Sequence, residues 1–266
     1  MKIAIYTSSL CCSFNNYNIS KLLNAFPNNE YLFLIVKNNN PSLFNRFKQI
    51  IVEYRDGKNY LKKDLKILDE KIDRITEKFD FRKFLCYKVD DVNDSQSEEI
   101  LKKFKPDIIL QAGAGILKRN IFSLSRISTI NIHHGLAPEI RGINSTFWCL
   151  YYGLYNSIGV SCHIIDEGLD TGPIISQFKY PYQANDTFVD IQYTLCIEGG
   201  KLLLHSIELL SKEYPNMFSV EEVKSYYFSN VNYLDYNRLR TNNFLQIETP
   251  DHLKVKEKRK NIFRLQ

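Results

Sequence analysis

The stretch "PDIILQAGAGILKRNIFSLSRISTINIHH", residues 106–134, decides the fold. It contains two apolar runs, 106–113 and 128–134, and the connection between them begins with glycines. Short apolar runs bounded by turn residues are typical of β-strands that are buried on both faces. The stretch therefore predicts two buried strands, each of which ends at a glycine-containing or polar loop.

Strands and helices alternate on both sides of this stretch. The patterns predict strands at residues 2–6, 30–37, 84–89, 159–166 and 173–180, and helices near residues 19–26, 58–79, 94–104 and 186–210. The helix over 58–79 is amphipathic, and its apolar stripe is expected to pack on the domain or on a partner helix. The alternation predicts an α/β fold with a doubly wound, mostly parallel sheet. Periodicity fades after residue 212, so we expect a main domain over 1–212 and a smaller C-terminal extension, 213–266, packed on it.

Composition is that of an ordinary globular protein, with 44% hydrophobic and 24% charged residues in a chain of 266. The formal net charge of +5 is mild, and the lysine-rich stretches alternate with acidic residues or lie near the C-terminus, so we expect no nucleic-acid partner. No apolar run reaches the length of a membrane span. The opening "MKIAIYTSSLCC" is interpreted as a strand rather than a signal peptide. The six cysteines include no C-x-x-C pair and are expected to be reduced core or near-core residues of a cytoplasmic protein.

The glycines at 113 and 115 follow a predicted strand. They do not form a complete dinucleotide-binding or phosphate-loop motif. Gly113 and Gly115 are better interpreted as a place where backbone can approach a ligand at the carboxyl end of a strand.

Asn131 and His133 are the candidate chemical groups. Side chains two apart in a strand point to the same side, so the Asn131 amide and the His133 imidazole are expected to project together. Such a pair can bind the oxygen of a polarised carbonyl and manage a proton. A carboxylate from the turn "DEGLDTG" would have to orient the imidazole, and a strand-helix-strand excursion from 131 to Asp170 can bring that turn back. Two alternatives remain. One is a purely structural role, with an Asn at the end of a strand and a His whose hydrogen bonds are satisfied within the fold. The other is a zinc site formed by His133, His134 and His163.

The segment "INIHHGLAPEIRGINSTFWCLYYGLYNSIGVSCHIIDEGLDTGPIISQ", residues 130–177, resembles the signature of the N10-formyltetrahydrofolate-dependent formyltransferases. The shared order is N-x-H, L-x-P, R-G, a W-containing helix, G-V and G-x-D-x-G. Weaker likeness extends from about residue 100 to about residue 210. The resemblance implies a Rossmann-like domain, no metal, and Asn131, His133 and Asp170 as the catalytic residues.

The resemblance also implies where the substrates bind. The folate cosubstrate, N10-formyltetrahydrofolate, would lie beside two loops, with Gly113, Gly115, Ile116, Leu117, Ile165, Asp166 and Gly168 as the candidate binding residues. The acceptor would contact His134, Arg141 and Gly142. Arg141 could bind a phosphate or carboxylate, or form a structural salt bridge.

Within the family, the regions outside the shared core favour a sugar N-formyltransferase. The stretch "TSSLCCSFNN" after the first strand lacks the glycine-rich phosphate loop of the glycinamide ribonucleotide enzymes, and about 55 residues after 212 are too few for the β-barrel of the methionyl-tRNA enzymes. The implied acceptor is a nucleotide-linked amino-dideoxy sugar for surface glycan or O-antigen biosynthesis, with dTDP as the expected nucleotide. The tyrosine-rich stretches could stack a nucleobase, pack a core or form a homodimer contact. A formyltransferase on another amine, a formyltetrahydrofolate hydrolase and a non-catalytic binding module remain open.

Overall fold

The computed structural model describes residues 1–8, 13–37, 60–212, 224–228 and 254–256. Its strands are β1 (Lys2–Ser8), β2 (Glu30–Val36), β3 (Leu85–Val89), β4 (Ile108–Ala112), β5 (Ser128–His133), β6 (Ile140–Gly142), β7 (Gly159–Ile164), β8 (Ile174–Lys179), β9 (Lys224–Phe228) and β10 (Lys254–Lys256). Its α-helices are α1 (Ser13–Ala25), α2 (Tyr60–Ile75), α3 (Ser95–Phe104), α4 (Arg119–Phe122), α5 (Ser145–Tyr151) and α6 (Phe188–Ser211). Short 3-10 turns occupy Phe81–Lys83 and Tyr155–Ser157.

Seven strands form the main sheet, in the order β3-β2-β1-β4-β5-β7-β8. The first five are parallel, whereas β7 is antiparallel to both of its neighbours, β5 and β8. The chain runs outward from β1 to β3 and then returns to build β4 and β5 on the other side of β1. Ligands of such doubly wound sheets bind where the strand order reverses, at the carboxyl ends of the strands. The predicted mostly parallel, Rossmann-like α/β fold is confirmed.

Helices cover both faces of this sheet, and β1 shows how the sequence specifies the two layers. Ile3, Ala4, Ile5 and Tyr6 are all fully buried. Because side chains alternate along a strand, Ile3 and Ile5 join the core cluster formed with α1 and α6. Ala4 and Tyr6 join the opposite cluster, formed with α3 and α4. An unbroken apolar run is therefore what a strand between two helical layers requires.

The amphipathic helix predicted over 58–79 is α2, and it packs on α1 and α6. Leu68 and Ile72 are buried in that contact, and Lys71 donates to Asp190 of α6 over 3.0 Å. Leu65 is 42% exposed and borders a cavity described below. The apolar side of α2 therefore contributes both to the core and to the wall of a cleft.

The short strand β6 connects the main domain to the region after residue 212. It pairs in parallel with β9, which in turn pairs antiparallel with β10. The backbone at Gly142 has φ +92°, and a Cβ there would lie 2.0 Å from the carbonyl oxygen of Phe228. The contact fits an extension packed on the main domain, and the boundary near residue 212 stays a prediction.

Aromatic residues of α5 and β9 pack against one another. The Trp148 ring stacks on Tyr152 at 5.7 Å and on Phe228 at 5.8 Å. Tyr151 and Tyr155 border the same core cluster, and Tyr226 is 7% exposed within it. For these tyrosines the structure supports core packing rather than nucleobase stacking, whereas positions 233 and 236 lie outside the described residues.

The described cysteines differ in burial. Cys149, Cys162 and Cys196 are buried and unbridged, as predicted, whereas residues 11 and 12 lie outside the described part of the chain. The core or near-core prediction is wrong for Cys86, which is exposed because β3 is the edge strand of the sheet. Among the described residues, no helix combines the length and apolar character needed to cross a bilayer.

Gly142→Ala tests the contact between β6 and β9. The substitution combines an unfavourable positive φ with a clash against backbone, so we expect the free energy of unfolding to fall by about 3 kcal/mol or more. Gly115→Ala is the matched control, because Gly115 has φ +113° but no atom within 4 Å of the added Cβ. It should cost about 1 kcal/mol. Urea denaturation measures both, and equal costs would contradict the packing of residue 142 on β9.

Candidate active site

Asn131 and His133 lie at the carboxyl end of β5, two residues apart, as predicted. His133 is 7% exposed, and its Nε2 lies 2.9 Å from the carbonyl oxygen of Ile140. Because a carbonyl oxygen can only accept, Nε2 carries the hydrogen and Nδ1 is the nitrogen left for other partners. Gly135 makes this position possible, since a Cβ there would lie 2.5 Å from Nε2.

Asp170 reaches the same place from the connection between β7 and β8. Its Oδ2 lies 3.6 Å from Nδ1 of His133, and its Oδ1 lies 3.5 Å from Nε2 of His163. Oδ2 also accepts the backbone N–H of Gly142 over 2.8 Å. Since β7 is antiparallel to β5, the connection after β7 returns to the end of β5. The predicted excursion from Asn131 to Asp170 is confirmed.

His163 fixes the orientation of the Asn131 amide. Its Nδ1 lies 2.9 Å from the carbonyl oxygen of Ile164, so Nδ1 carries the hydrogen. In the neutral imidazole Nε2 then accepts from Nδ2 of Asn131, 3.3 Å away. Asn131 Nδ2 therefore keeps a second N–H for a ligand.

The electrostatics favour an ionised Asp170 beside a neutral His133. Burial raises the pKa of Asp170, but the attraction of the carboxylate to the imidazoles of His133 and His163 when these carry a proton, together with the Gly142 N–H, lowers it by more, and the pKa lies below its ordinary value of 3.8. Burial lowers the pKa of His133 below 6.5, and the nearby Asp170 carboxylate opposes this only in part. The site therefore contains a permanent carboxylate next to an imidazole nitrogen that can take up a proton.

Two cavities meet at this cluster. The larger, about 430 Å³, lies between α1, α2, the end of β5, the loop after β6 and the first turn of α6. The smaller, about 160 Å³, lies between the loop after β4 and the connection from β7 to β8. Asn131 and Gln111 border both cavities, whereas His133 borders only the larger and Asp170 only the smaller. A group transferred from one cavity to the other would pass Asn131.

The loop after β4 is held in place by side chains. Gln111 donates to the carbonyl of Gly115 over 2.8 Å and accepts from the N–H of Gly113 over 3.2 Å. Asn93 donates to the carbonyl of Ile116 over 2.9 Å. The backbone edge beside the smaller cavity is therefore fixed before any ligand binds.

This arrangement coincides with a known family. The model of the formyl transferase family matches residues 56–207, more than half of the chain. The chain belongs to the formyl transferase family. The matched segment contains Asn131, His133, His163 and Asp170.

Curated methionyl-tRNA formyltransferases are similar to less than half of the chain. The methionyl-tRNA formyltransferase of Kosmotoga olearia is 35% identical over 121 residues, which are 45% of this chain and 39% of that protein. The corresponding enzyme of a Wolbachia strain is 35% identical over 122 residues, 46% of this chain and 40% of that protein. The matched region thus spans about two fifths of the curated relatives.

Solved formyltransferase structures share the fold. A sugar N-formyltransferase from a Shewanella species has a TM-score of 0.57 at 16% identity and covers 100% of this chain and 98% of its own. A phosphoribosylglycinamide formyltransferase from Streptococcus pneumoniae has a TM-score of 0.54 at 21% identity, over 79% of this chain and 99% of its own. WlaRD, a sugar 3N-formyl transferase whose structure was determined with dTDP and 5-N-formyl-THF, has a TM-score of 0.53 at 18% identity, over 87% and 71%. At these identities the likeness establishes the fold alone.

The other predicted site residues divide between the two cavities. Six candidate folate residues border the smaller cavity, namely Gly115, Ile116, Leu117, Ile165, Asp166 and Gly168. Gly113 borders the larger cavity instead, together with the candidate acceptor residues His134 and Gly142. Arg141 is 6% exposed and borders neither cavity. The binding roles of all these residues stay predictions.

Three polar residues of this site were not recognised as such in the sequence. The zinc alternative included His163, yet the described residues contain no group of three His, Cys, Asp or Glu arranged to hold a metal. His163 pairs in register with Asn131, and Asn131 with Gln111 of β4. With the strand order known, this register would have placed His163 and Gln111 beside Asn131. Gln192 of α6 accepts from Nδ1 of His134 over 2.8 Å, and no local motif indicates that contact.

His134 generates a prediction about stability and pH. Burial lowers its pKa to about 4, against an ordinary value of 6.5. Between these values the unfolded chain binds more protons than the folded protein, so stability is complete above about pH 6.5 and falls as the pH drops towards 4. This difference corresponds to about 3 kcal/mol of unfolding free energy.

His134→Asn should remove that part of the pH dependence, because the Asn amide can still donate to Gln192 but does not titrate. Urea denaturation at pH 7 and pH 4.5 measures the difference between variant and wild type. His205→Gln is the control, since His205 is exposed on α6, and it should leave the pH dependence unchanged. An unaltered acid-side loss in His134→Asn would contradict a buried neutral His134.

Proposed function

We propose that this formyltransferase moves a formyl group from N10-formyltetrahydrofolate to the primary amine of a nucleotide-linked amino sugar. The observation that carries the transfer step is the position of Asn131, which borders both cavities between His133 and Asp170. The formyl carbon would lie beside Asn131, with the folate in the smaller cavity and the amine in the larger. Asn131, His133 and Asp170 are the proposed catalytic residues.

The smaller cavity has the chemistry that a pterin ring needs. Ile116 is 64% exposed and Leu169 is 37% exposed, so apolar surface is available to cover the faces of a flat ring. The backbone edge at residues 113–117 is held by Gln111 and Asn93. Asp166 similarly fixes the opposite loop, accepting from the Gly168 N–H over 3.0 Å and from the Thr171 hydroxyl. Preformed backbone donors and acceptors of this kind can read the polar edge of a ring.

The proposed chemistry gives each of the three central side chains a separate role. As the acceptor amine attacks the formyl carbon, a C–N bond forms and the carbonyl oxygen gains negative charge, which an N–H of Asn131 stabilises. Nδ1 of His133 takes the proton that the amine loses, and the carboxylate of Asp170 stabilises the resulting imidazolium. Collapse of the intermediate breaks the bond to N10, and His133 returns the proton to that nitrogen. The Nε2 hydrogen is bonded to Ile140, so we assign oxyanion binding to Asn131 alone.

The larger cavity supports an amino sugar as the acceptor. Its described lining combines apolar side chains, including Phe147 and Phe188, with neutral amides, and its one charged lining residue among those described is Asp69. Such a surface suits an uncharged ring that carries hydroxyl groups better than it suits a phosphate. The likeness to the Shewanella sugar N-formyltransferase also extends over 100% of this chain and 98% of that one. WlaRD, determined with dTDP, supports a thymidine diphosphate as the nucleotide.

Methionyl-tRNA is the second candidate acceptor, because the curated relatives at 35% identity are methionyl-tRNA formyltransferases. The same cluster could also transfer the formyl group to water, which would make the chain a hydrolase.

Asn131→Ala tests the oxyanion role. Losing one preorganised donor should lower kcat about a hundredfold to a thousandfold. Asp170→Asn should also lower kcat strongly, because an imidazolium at position 133 would lose its carboxylate. Asn156→Ala is the control, since Asn156 is exposed and borders neither of the two cavities. Circular dichroism should show all three variants folded. Near-wild-type turnover of Asn131→Ala would remove the assignment.

An acceptor panel tests the substrate class. The protein is incubated with N10-formyltetrahydrofolate and, separately, dTDP-, UDP- and GDP-linked amino sugars, glycinamide ribonucleotide, methionyl-tRNA or no acceptor. We expect one nucleotide amino sugar to gain the mass of a formyl group. Formylation of methionyl-tRNA alone would establish the second candidate, and tetrahydrofolate formation at the full rate without acceptor would identify a hydrolase.

A further inference from the structure

Gln192 presents a hydrogen-bond donor of fixed orientation in the larger cavity. It lies in the first two turns of α6, one helical turn after Phe188, and both side chains border the cavity. Its Oε1 accepts from Nδ1 of His134 over 2.8 Å. Burial keeps His134 neutral at pH 7, and the Phe14 ring packs perpendicular to the imidazole at a centroid separation of 3.9 Å. Nε2 of His134 is buried and has no partner among the described residues, so the ring hydrogen belongs on Nδ1, where Oε1 of Gln192 can accept it. With the hydrogen there, the carbamoyl group of Gln192 cannot flip without placing its NH₂ against an N–H.

The other half of the amide is available to a ligand. None of the described residues accepts a hydrogen bond from Nε2 of Gln192, and that nitrogen is not among the fully buried, unpartnered atoms. The cavity wall near Gln192 includes the apolar side chains of Phe188 and Leu65. Gln192 differs from these neighbours because it offers an accessible N–H that has no partner among the described residues. A ligand that lies against α6 can therefore gain a hydrogen bond by placing an acceptor oxygen beside Gln192.

We propose that Gln192, oriented by His134, is a specificity-determining residue that donates to one ring hydroxyl of the acceptor sugar. This inference rests on the proposed function and deepens it. The described lining of the cavity contains no Lys or Arg, so the oxygen in question belongs to a neutral group rather than to a phosphate. Gln192 recognises that hydroxyl by a hydrogen bond, whereas Asn131 stabilises the charge on the formyl oxygen.

Selectivity between matched acceptors tests the proposal. The probes are dTDP-4-amino-4,6-dideoxyglucose, dTDP-3-amino-3,6-dideoxyglucose and the analogues of each in which one remaining ring hydroxyl is replaced by hydrogen. In the wild type, loss of one particular hydroxyl should lower kcat/KM about tenfold, the value of one hydrogen bond. In Gln192→Met, which keeps the size of the side chain but has no donor, the same loss should change kcat/KM less than twofold. The effects of the other hydroxyls should be unchanged, which a merely structural role would not produce.

Two further variants keep the test decisive. Gln183→Met is the control, because Gln183 borders neither cavity, and it should retain the tenfold discrimination. His134→Leu removes the N–H that orients the amide and should reduce the discrimination to about threefold or less. If a folded Gln192→Met or His134→Leu protein keeps the full discrimination, or if the wild type is indifferent to every hydroxyl, the inference about Gln192 is overturned while formyl transfer to sugars stands. If no nucleotide amino sugar is formylated, the proposed function itself fails, and this inference with it.

Discussion

The carboxylate of Asp170 is the constraint on which the site depends. Its side chain is 15% exposed, and a charge so little hydrated requires partners. Its surroundings come from three segments. Gly142 at the end of β6 donates its N–H to the carboxylate, and the imidazoles of His133 on β5 and His163 on β7 lie 3.6 and 3.5 Å away, where a protonated ring would balance the negative charge. Satisfying one carboxylate therefore brings together parts of the chain that the sequence separates by up to forty residues. The same requirement keeps the pKa of Asp170 low and provides the negative charge that a protonated His133 would need.

A second constraint concerns the orientation of hydrogen-bond donors. The carbonyls of Ile140 and Ile164 set which nitrogen of His133 and of His163 carries a hydrogen, and His163 then orients Asn131. The first two links use backbone carbonyls of strand residues, Ile140 at the start of β6 and Ile164 at the end of β7, so the strands themselves determine the polarity of the site. Donors fixed in this way need little reorganisation when charge develops on a substrate, which is the main source of electrostatic catalysis. The two loops beside the smaller cavity are held by the same kind of side-chain-to-backbone bonds.

The sequence predicted the fold wherever one residue pattern had one structural explanation. Continuous apolar runs such as residues 108–112 indicated buried strands, and the amide and imidazole two residues apart indicated a strand end with chemistry. The exposure of Cys86 depends on strand order, and the positions of Gln111 and His163 beside Asn131 depend on register. Neither property is local. Gln192 lies 58 residues from His134 along the chain, and only the packing of α6 near the end of β5 brings them into contact. The resemblance over residues 130–177 indicated the three central residues because a family signature marks residues that meet in the folded protein, even when they are distant along the chain.

The position of the transferred carbon tests this account most directly. A crystal structure of the protein with a non-reactive 10-formyl folate analogue would show where the formyl group lies. The account predicts the ring in the smaller cavity, the formyl oxygen about 3 Å from Nδ2 of Asn131, and the formyl carbon facing the larger cavity. A folate whose formyl group lies away from Asn131, with Asp170 and His133 uninvolved, would contradict it.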